Sequence, residues 1–242
     1  MGFLWFGRKT RLRPYAVVAS PQPPASPLQP VLSVEPEPAP EPVVATAPTP
    51  DEALQLLKDG NAAFVSGMTS LGHVTAHDLE PLQGGQHPIA VIVGCADSRT
   101  PPTILFNQGL GQLFIIRVAG NTVDRRGLAS IVYAVKHLKA PLVVVMGHSG
   151  CGAVAAAEAI VDGAPLDPSL EEMIVPIIPA VLAARRTSPA DPARAAVEEN
   201  ARWVARKLNS ADGALADAVE AGTVRIVAAV KDMTTGRVDF YE

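Results

Sequence analysis

The sequence predicts an α/β fold with a central, mainly parallel four-stranded sheet in the order 2-1-3-4, flanked by helices, and with an N-terminal helical arm. Two observations predict this class. Near-continuous runs of Val, Ile and Leu have the character of strands buried on both faces, which is typical of parallel sheets covered by helices. Segments with apolar residues at helical spacing lie between these runs, and such alternation indicates a parallel sheet.

The chain divides by composition into a proline-rich extension, residues 1–48, and a globular domain, residues 49–242. The first 50 residues hold 12 of the 23 prolines, which predicts an extended, disordered arm. At its tip Phe3–Phe6 precedes a basic cluster, whereas a secretory signal places its basic residues first. Two interpretations follow: residues 1–15 dock weakly on a membrane or a protein, or they form a disordered tail.

The domain is expected to begin with a helix from Pro50 to about Ser66. Thr49, Pro50 and Glu52 form a capping-box pattern with proline at the first helical position. Residues 68–87 contain several glycines and predict a loop.

Strands and helices alternate in the remainder of the domain. In the helix predicted over 127–139, apolar residues such as Leu128, Ile131 and Val135 repeat at the helical period, so one face packs on the sheet. The strands are expected at residues 89–94, 112–118, 142–147 and 224–230, and the helices at 127–139, 150–161, 173–185, 192–208 and 212–221.

Two local signals refine the C-terminal half. Pro176 and Pro179 predict a kink or a split in the helix over 173–185. Thr235-Gly236 predicts a turn before the final segment, Val238 to Tyr241.

Composition excludes some functions. The formal net charge of −4 gives no basis for binding nucleic acid, which demands a clustered basic face. The two cysteines do not form a disulfide framework in a chain of this size, and as reduced thiols they predict a cytoplasmic protein. No apolar run approaches the roughly 20 residues that span a bilayer.

Both cysteines stand just beyond predicted strands. Cys95 follows the strand at 89–94, while His148 and Cys151 follow the strand at 142–147. In an open parallel sheet, ligands bind where the strand order reverses, outside the carboxyl ends of the strands. The order 2-1-3-4 places that point between these two strands.

The residue types at this edge indicate a metal. Two thiolates and an imidazole suit tetrahedral zinc, and a position near a helix N-terminus is expected to lower the pKa of the Cys151 thiol. A lone cysteine after a buried strand is more often a packed apolar residue. The shared placement of both cysteines, with His148 beside one of them, favours one Zn²⁺ held by Cys95, His148 and Cys151.

Asp97 and Arg99 follow Cys95 on the same short loop. Three protein ligands leave a fourth tetrahedral position, which is typical of catalytic zinc. Asp97 is expected either to bind the metal there or to form a bidentate ion pair with Arg99. In the second case, Asp97 would orient a zinc-bound hydroxide towards the substrate, so we expect Asp97 and Arg99 to act in catalysis.

At these residues the chain resembles the β-class carbonic anhydrases, over roughly residues 50–242. The family pattern of Cys-x-Asp-x-Arg, followed further along by His-x-x-Cys, is present in full, and residues 112–121 are similar to the family's second strand and its following loop. The resemblance implies a lyase that reversibly hydrates CO₂ to bicarbonate, with zinc hydroxide as nucleophile and residues 49–242 as catalytic domain. It also implies a homodimer or tetramer with pockets at the subunit interface.

The resemblance assigns further roles to single residues. Gln86 matches a substrate-binding glutamine, Phe114 and Tyr133 match pocket-lining residues, and the N–H of Gly152 matches a donor to the substrate oxygen. His137 aligns with a proposed proton shuttle. Structural alternatives stay open: Gln86 as a solvated loop residue, Phe114 as core and His137 as a structural histidine.

One departure from the family concerns regulation. Allosteric members carry a Trp three residues before the first zinc cysteine, where this chain has Ile92. The resemblance therefore argues against inhibition by bicarbonate. We expect the water-bound form, with Asp97 away from the metal, at neutral pH.

Three other functions are alternatives to CO₂ hydration. A serine hydrolase is excluded because its nucleophile elbow needs a histidine downstream of the serine, and no histidine follows His148. A catalytically inactive zinc-binding scaffold or assembly protein of the same fold stays open. So does a similar enzyme that hydrolyses CS₂, since its zinc ligands would be the same.

Overall fold

A computed structural model describes residues 47–70, 74–211 and 213–241 of the chain. The element bounds within these residues are as follows: β1 Ala90–Gly94, β2 Leu113–Arg117, β3 Leu142–His148, β4 Arg225–Lys231 and β5 Val238–Tyr241; α1 Pro50–Val65, α2 Pro102–Leu105, α3 Arg125–His137, α4 Gly152–Val161, α5 Glu171–Ile174, α6 Ile178–Arg185, α7 Pro192–Asn209 and α8 Gly213–Glu220. The predicted extension lies outside the described residues except for 47 and 48, and the docking element predicted at residues 1–15 lies wholly outside them.

The strands form one sheet in the order β2-β1-β3-β4-β5. The pairs β1·β2, β1·β3 and β3·β4 are parallel, which confirms the predicted order 2-1-3-4. The predicted number of strands was wrong, because β5 adds an antiparallel fifth strand on β4.

The turn between β4 and β5 explains the fifth strand. The Asp232 carboxylate accepts the N–H groups of Thr234 and Thr235 at 2.9 and 2.7 Å, and the Gly236 N–H donates to the Asp232 carbonyl. This turn reverses the chain and lays the four residues of β5 along β4. So short a segment carries no run of apolar residues from which its pairing could be predicted.

Side chains of β1 alternate between two apolar layers, as the period of a strand requires. Val91 and Val93 enter a core shared with α3, α4, α6 and α7. Ala90 and Ile92 enter a second core with α1 and α2. The sheet is thus covered on both faces, and only its edges and strand ends are free to build a site.

The helix α1 begins as the sequence predicts. Thr49 and Glu52 form the capping box, and Leu54 and Leu57 are buried. Asn61 of this helix is also buried: it donates to the carbonyls of Leu105 and Gly236 and accepts the Val238 N–H. One polar side chain therefore joins α1 to α2 and to the β5 hairpin.

Two regions outside the sheet complete the description. The predicted break at the prolines is confirmed, since a 3₁₀ turn at Val175–Ile177 separates α5 from α6. The predicted loop 68–87 instead contains a 3₁₀ helix at Ala76–Leu82, and α2 was not expected. Within the described ranges, no helix has both the length and the apolar character needed to cross a membrane.

Candidate metal centre

The three predicted zinc ligands meet at the carboxyl edge of the sheet. Cys95 directly follows β1, His148 is the last residue of β3, and Cys151 is the N-cap of α4. Their ligand atoms all lie within 4.8 Å of one another. All three side chains are buried, with 5%, 1% and 3% of their surface exposed. Adjacent parallel strands and the turn into α4 therefore build a cluster that can hold one metal ion.

The hydrogen bond at Nδ1 defines the tautomer of His148. Its Nδ1 lies 3.0 Å from the Ser149 carbonyl, which can only accept, so Nδ1 carries the proton in the neutral ring. Nε2 then presents a lone pair, and this buried atom has no hydrogen-bond partner among the described residues. A buried, unpartnered imidazole nitrogen beside two sulfurs fits a metal ligand.

The Ser149 carbonyl that orients the imidazole is itself held by β4. The Ser149 N–H donates to the Lys231 carbonyl at 2.9 Å, and the Met233 N–H donates to Ser149 Oγ at 2.9 Å. Such outer contacts orient a ligating histidine. The direction of the His148 ring is thus a property of the β3·β4 pair.

The two thiols are close enough to share a proton. Their sulfurs are 4.0 Å apart. The hydrogen bond with Cys151 lowers the pKa of Cys95, against the opposing effect of burial, while the same hydrogen bond and burial raise the pKa of Cys151. The position of Cys151 before a helix predicted a lowered pKa for its thiol. Backbone N–H groups of α4 do act in that direction, but the neighbouring sulfur outweighs them.

A further N–H group supports Cys95 as the thiolate of the pair. Gly120 donates its N–H to Cys95 Sγ at 3.4 Å. Gly120 has a φ of 73°, which favours glycine. Charge and hydrogen bonding thus concentrate negative charge on one sulfur, and a divalent cation would take the place of the shared proton.

The donor set fits zinc. Two thiolates and one imidazole are ligands typical of this metal, and the tetrahedral geometry that it prefers leaves one further position. Cys95, His148 and Cys151 would hold the ion. The fold already supplies an oriented imidazole at His148 and a stabilised thiolate at Cys95.

Asp97 is paired with Arg99 beside this cluster. Asp97 Oδ1 accepts from the N–H and the Nε–H of Arg99 at 2.9 and 3.0 Å, and Oδ2 accepts from a terminal nitrogen of the guanidinium at 2.8 Å. These bonds lower the pKa of Asp97. Asp97 Oδ2 is also 3.9 Å from His148 Nε2. The carboxylate is therefore ionised, engaged by Arg99 and adjacent to the ligand atoms.

Arg117, the last residue of β2, is a part of the site that the sequence analysis did not single out. Its Nε–H donates to the Cys95 carbonyl at 2.8 Å, and its terminal nitrogen donates to the Asp97 carbonyl. The sequence signal for it was a cation near the end of the predicted strand 112–118, and the structure pairs it with Gly94. This guanidinium fixes the loop that carries the first ligand.

Three residues to which the resemblance assigns a role in the pocket lie far from the Cys95–His148–Cys151 cluster of the same chain. Phe114 pairs with Val91, four residues before Cys95, which is ~13 Å along a strand. Tyr133 packs beside Phe114 with ring centroids 6.4 Å apart. Gln86 is exposed in the loop before β1. The structure therefore does not bring these side chains to the metal ligands of their own subunit.

The other two assigned residues differ in their placement. Gly152 directly follows Cys151 and is exposed at the start of α4. His137 is exposed near the end of α3, and its ring centroid is 5.3 Å from that of Tyr133. Gly152 thus lies at the cluster, whereas His137 belongs to the group around Tyr133.

Comparisons with known proteins agree with this centre. The family model for carbonic anhydrase matches residues 90–238. A carbonic anhydrase of Mycolicibacterium smegmatis is 37% identical over 193 residues, covering 78% of this chain and 92% of that protein. Carbonic anhydrase 2 of Mycobacterium tuberculosis is 44% identical over 138 residues, covering 57% of this chain and 67% of that protein.

A solved structure gives the same result for the fold. A tetrameric β-carbonic anhydrase of the filamentous ascomycete Sordaria macrospora matches with a TM-score of 0.62 at 25% identity, covering 75% of this chain and 93% of that chain. The chain therefore belongs to the β-class carbonic anhydrase family, whose members are zinc-dependent enzymes of CO₂ hydration.

Proposed function

We propose that this chain catalyses the reversible hydration of CO₂ to bicarbonate and a proton, with one zinc ion held by Cys95, His148 and Cys151. The observation that carries the proposal is the convergence of three buried ligand atoms within 4.8 Å, one of them the unpartnered Nε2 of His148. Zinc, when bound, supplies the Lewis acidity that makes water a nucleophile near neutral pH.

The Asp97–Arg99 pair has the role of orienting the nucleophile. Arg99 holds the carboxylate in a bidentate contact and keeps it ionised. Asp97 Oδ2 then accepts a hydrogen bond from the attacking water and directs a lone pair at the carbon of CO₂. While Arg99 engages Asp97, the carboxylate is not free to serve as a fourth ligand, so the same pair keeps the site open.

Gly152 is proposed to bind the substrate. It is the first residue of α4, where backbone N–H groups have no acceptor within the helix. Such a donor suits an oxygen that gains negative charge as bicarbonate forms.

The substrate pocket is proposed to need a second copy of the chain, as a homodimer or tetramer. Gln86, Phe114 and Tyr133 are separated from the ligands of their own subunit, so only a partner could bring them to a pocket. The strand β2 supports this arrangement, because it is an edge of the sheet: Ile115 within it is 36% exposed, and Val118, which directly follows it, is 37% exposed. The Sordaria relative is described as tetrameric.

His137 is proposed to carry protons between this pocket and solvent. It is exposed and lies against Tyr133, at the end of the aromatic row that begins at Phe114. Imidazole is a side chain that commonly serves as a proton shuttle.

The cellular location is also a proposal. Two free, buried cysteines suit a reducing compartment, which favours the cytoplasm. Weak docking of residues 1–15 on a membrane or protein is compatible with that location. Deletion of residues 1–48 followed by cell fractionation tests both ideas, and an unchanged distribution would remove the docking element.

Metal analysis combined with stopped-flow CO₂ hydration tests the function. The wild type is expected to contain about one zinc per chain and to hydrate CO₂, while Cys95→Ser loses both. A metal-loaded but inactive wild type would instead favour the scaffold interpretation. Rates measured on CO₂ and on CS₂ with the same preparation decide the substrate.

A further inference from the structure

Lys231 is a buried cation next to the loop that carries Asp97 and Arg99. It is the last residue of β4, pairs with His148 of the neighbouring strand β3 and is only 5% exposed. Its ammonium has two neighbours, the Arg99 carbonyl at 3.2 Å and Met233 Sδ at 3.3 Å. Among the described residues, no carboxylate lies within salt-bridge distance of this Nζ.

Such a placement is unfavourable for stability. Burial lowers the pKa of Lys231, and the Arg99 guanidinium lowers it further. A buried ammonium without a carboxylate is poorly compensated for its lost hydration. The preceding residues of β4 are Ala228, Ala229 and Val230, all buried and apolar, so an apolar side chain would serve better for packing alone.

The opposite side of the same loop is held by a second cation. Arg117, at the end of β2, donates to the carbonyls of Cys95 and Asp97. Lys231 donates to the carbonyl of Arg99 from the direction of β4. The backbone from Cys95 to Arg99 is therefore held at both ends by cations from two strands that flank β1 and β3 in the sheet.

The direction of these bonds has a consequence for the side chains. With the carbonyls of Asp97 and Arg99 turned to Arg117 and Lys231, the Arg99 N–H and guanidinium both reach the Asp97 carboxylate. Only one residue, Ser98, separates the members of this pair, so a small rotation of the Arg99 backbone would break the bidentate contact.

We propose that Lys231 is a positioning residue that holds the Arg99 carbonyl and thereby keeps the Arg99 guanidinium on Asp97. Arg117 and Thr100 hold the carbonyl of Asp97, and Lys231 donates to the carbonyl of Arg99. An effect of Lys231 on catalysis rests on the proposed role of the Asp97–Arg99 pair. Its effect on the position of Arg99 does not depend on that role.

Backbone hydrogen exchange tests the positioning directly. Lys231→Met keeps the length of the side chain and removes the donor, so the hydrogen-bonded amides of Arg99 and Thr100 are expected to exchange about five- to tenfold faster, the factor for one lost hydrogen bond. The measurement is made on the metal-free and on the zinc-loaded protein. Lys207→Met, on the exposed face of α7, is the matched control and should leave this segment unchanged.

The side chain of Arg99 provides a second readout. Its Nε–H, hydrogen-bonded to Asp97 Oδ1, should give a protected NMR signal that Arg99→Lys removes and so assigns. In Lys231→Met this signal is expected to exchange faster by a similar factor. A lower melting temperature with unchanged exchange of both the loop and this signal would overturn the inference.

Two further variants keep the outcomes separate. Lys231→Gln retains a neutral donor and should fall between wild type and Lys231→Met. If Lys231→Met does not fold, Lys231→Leu takes its place, and wild-type loop exchange in Lys231→Leu overturns the inference. Asp97→Asn tests the pair itself. Full CO₂ hydration by Asp97→Asn would refute the proposed role of the pair, whereas an impaired Asp97→Asn beside unchanged loop exchange in Lys231→Met would refute the role of Lys231 alone.

Discussion

The sulfur atoms of Cys95 and Cys151 lie 4.0 Å apart, although 56 positions separate the two residues in the chain. The approach is produced by β1 and β3, which are adjacent and parallel, so their carboxyl ends lie at one edge. The unpartnered Nε2 of His148 completes the group. The chemistry of the chain depends on this juxtaposition.

The first prediction concerns the ligand set. Cys151→Ser is expected to reduce bound zinc far below one ion per chain, because an alcohol does not replace a thiolate for this metal. Metal content by mass spectrometry and CO₂ hydration by stopped flow provide the measurement. Ser130→Ala is the control, since Ser130 bonds only within α3. Wild-type zinc content in Cys151→Ser would contradict the assignment.

The second prediction concerns pH and metal affinity. Burial lowers the pKa of His148, but the neighbouring Cys95 sulfur and the hydrogen bond with Ser149 outweigh it and raise the pKa above its ordinary value. Zinc needs the neutral imidazole and both thiolates. Affinity should therefore decline as the pH falls, and the decline should become steeper below the raised pKa of His148, where the imidazole must also lose a proton to bind the metal.

Competition with a chromophoric chelator between pH 8 and pH 5 measures this decline. Calorimetry in buffers of different ionisation enthalpy should also detect proton release on zinc binding, because the metal-free thiols share a proton. An affinity independent of pH over this range would argue against the ligand set.

The third prediction concerns Arg99. Arg99→Lys retains the charge but loses the fork that contacts both oxygens of Asp97. We expect kcat/KM to fall by about tenfold to a hundredfold, the range for outer contacts at a metal site. Arg126→Lys on the exposed start of α3 is the matched control. Equal activity of the two variants would show that the bidentate contact is dispensable.

The fourth prediction concerns Gly120, whose N–H supports Cys95. A Cβ at this position would lie 2.6 Å from Ile177 Cδ1 and 3.1 Å from Ala153 Cβ. Gly120→Ala should therefore destabilise the fold by about 2–4 kcal/mol through overlap and backbone strain. Urea unfolding measures the change.

Gly163→Ala is the control for Gly120→Ala. Gly163 also has a positive φ, 94°, but nothing lies within 4 Å of its added Cβ, so it reports backbone strain alone. Ile177→Val removes the nearest methyl group and should restore part of the stability in the Gly120→Ala background. Equal destabilisation by Gly120→Ala and Gly163→Ala would show that the overlap with Ile177 and Ala153 contributes nothing to the loss of stability.

The fifth prediction concerns the assembly. Ile115→Lys places a charge on the exposed face of the edge strand β2 and should dissociate the proposed oligomer and lower CO₂ hydration together. Light scattering after size-exclusion chromatography gives the mass. Leu182→Lys on α6, where the leucine is 45% exposed, is expected to change neither. A monomeric Ile115→Lys with full activity would show that the pocket is complete within one subunit.

Much of the fold could be predicted because its signals are local. Apolar runs identify β1 to β4, the capping box identifies the start of α1, and prolines identify the break between α5 and α6. The strand β5 was missed as a member of the sheet because its pairing depends on the Asp232 turn, not on its own four residues. The zinc ligands were predictable since each follows a strand end, and parallel strands end together.

The sequence by itself determined the ligand types, their order and the strands that deliver them, since thiols, an imidazole and apolar runs are properties of the residues themselves. Only the tertiary structure decided that Arg117 and Lys231 hold the loop of Asp97 and Arg99. These cations donate to backbone carbonyls. A carbonyl is common to every residue and leaves no pattern in the sequence, so such contacts become visible only when the sheet has brought β2 and β4 alongside the loop.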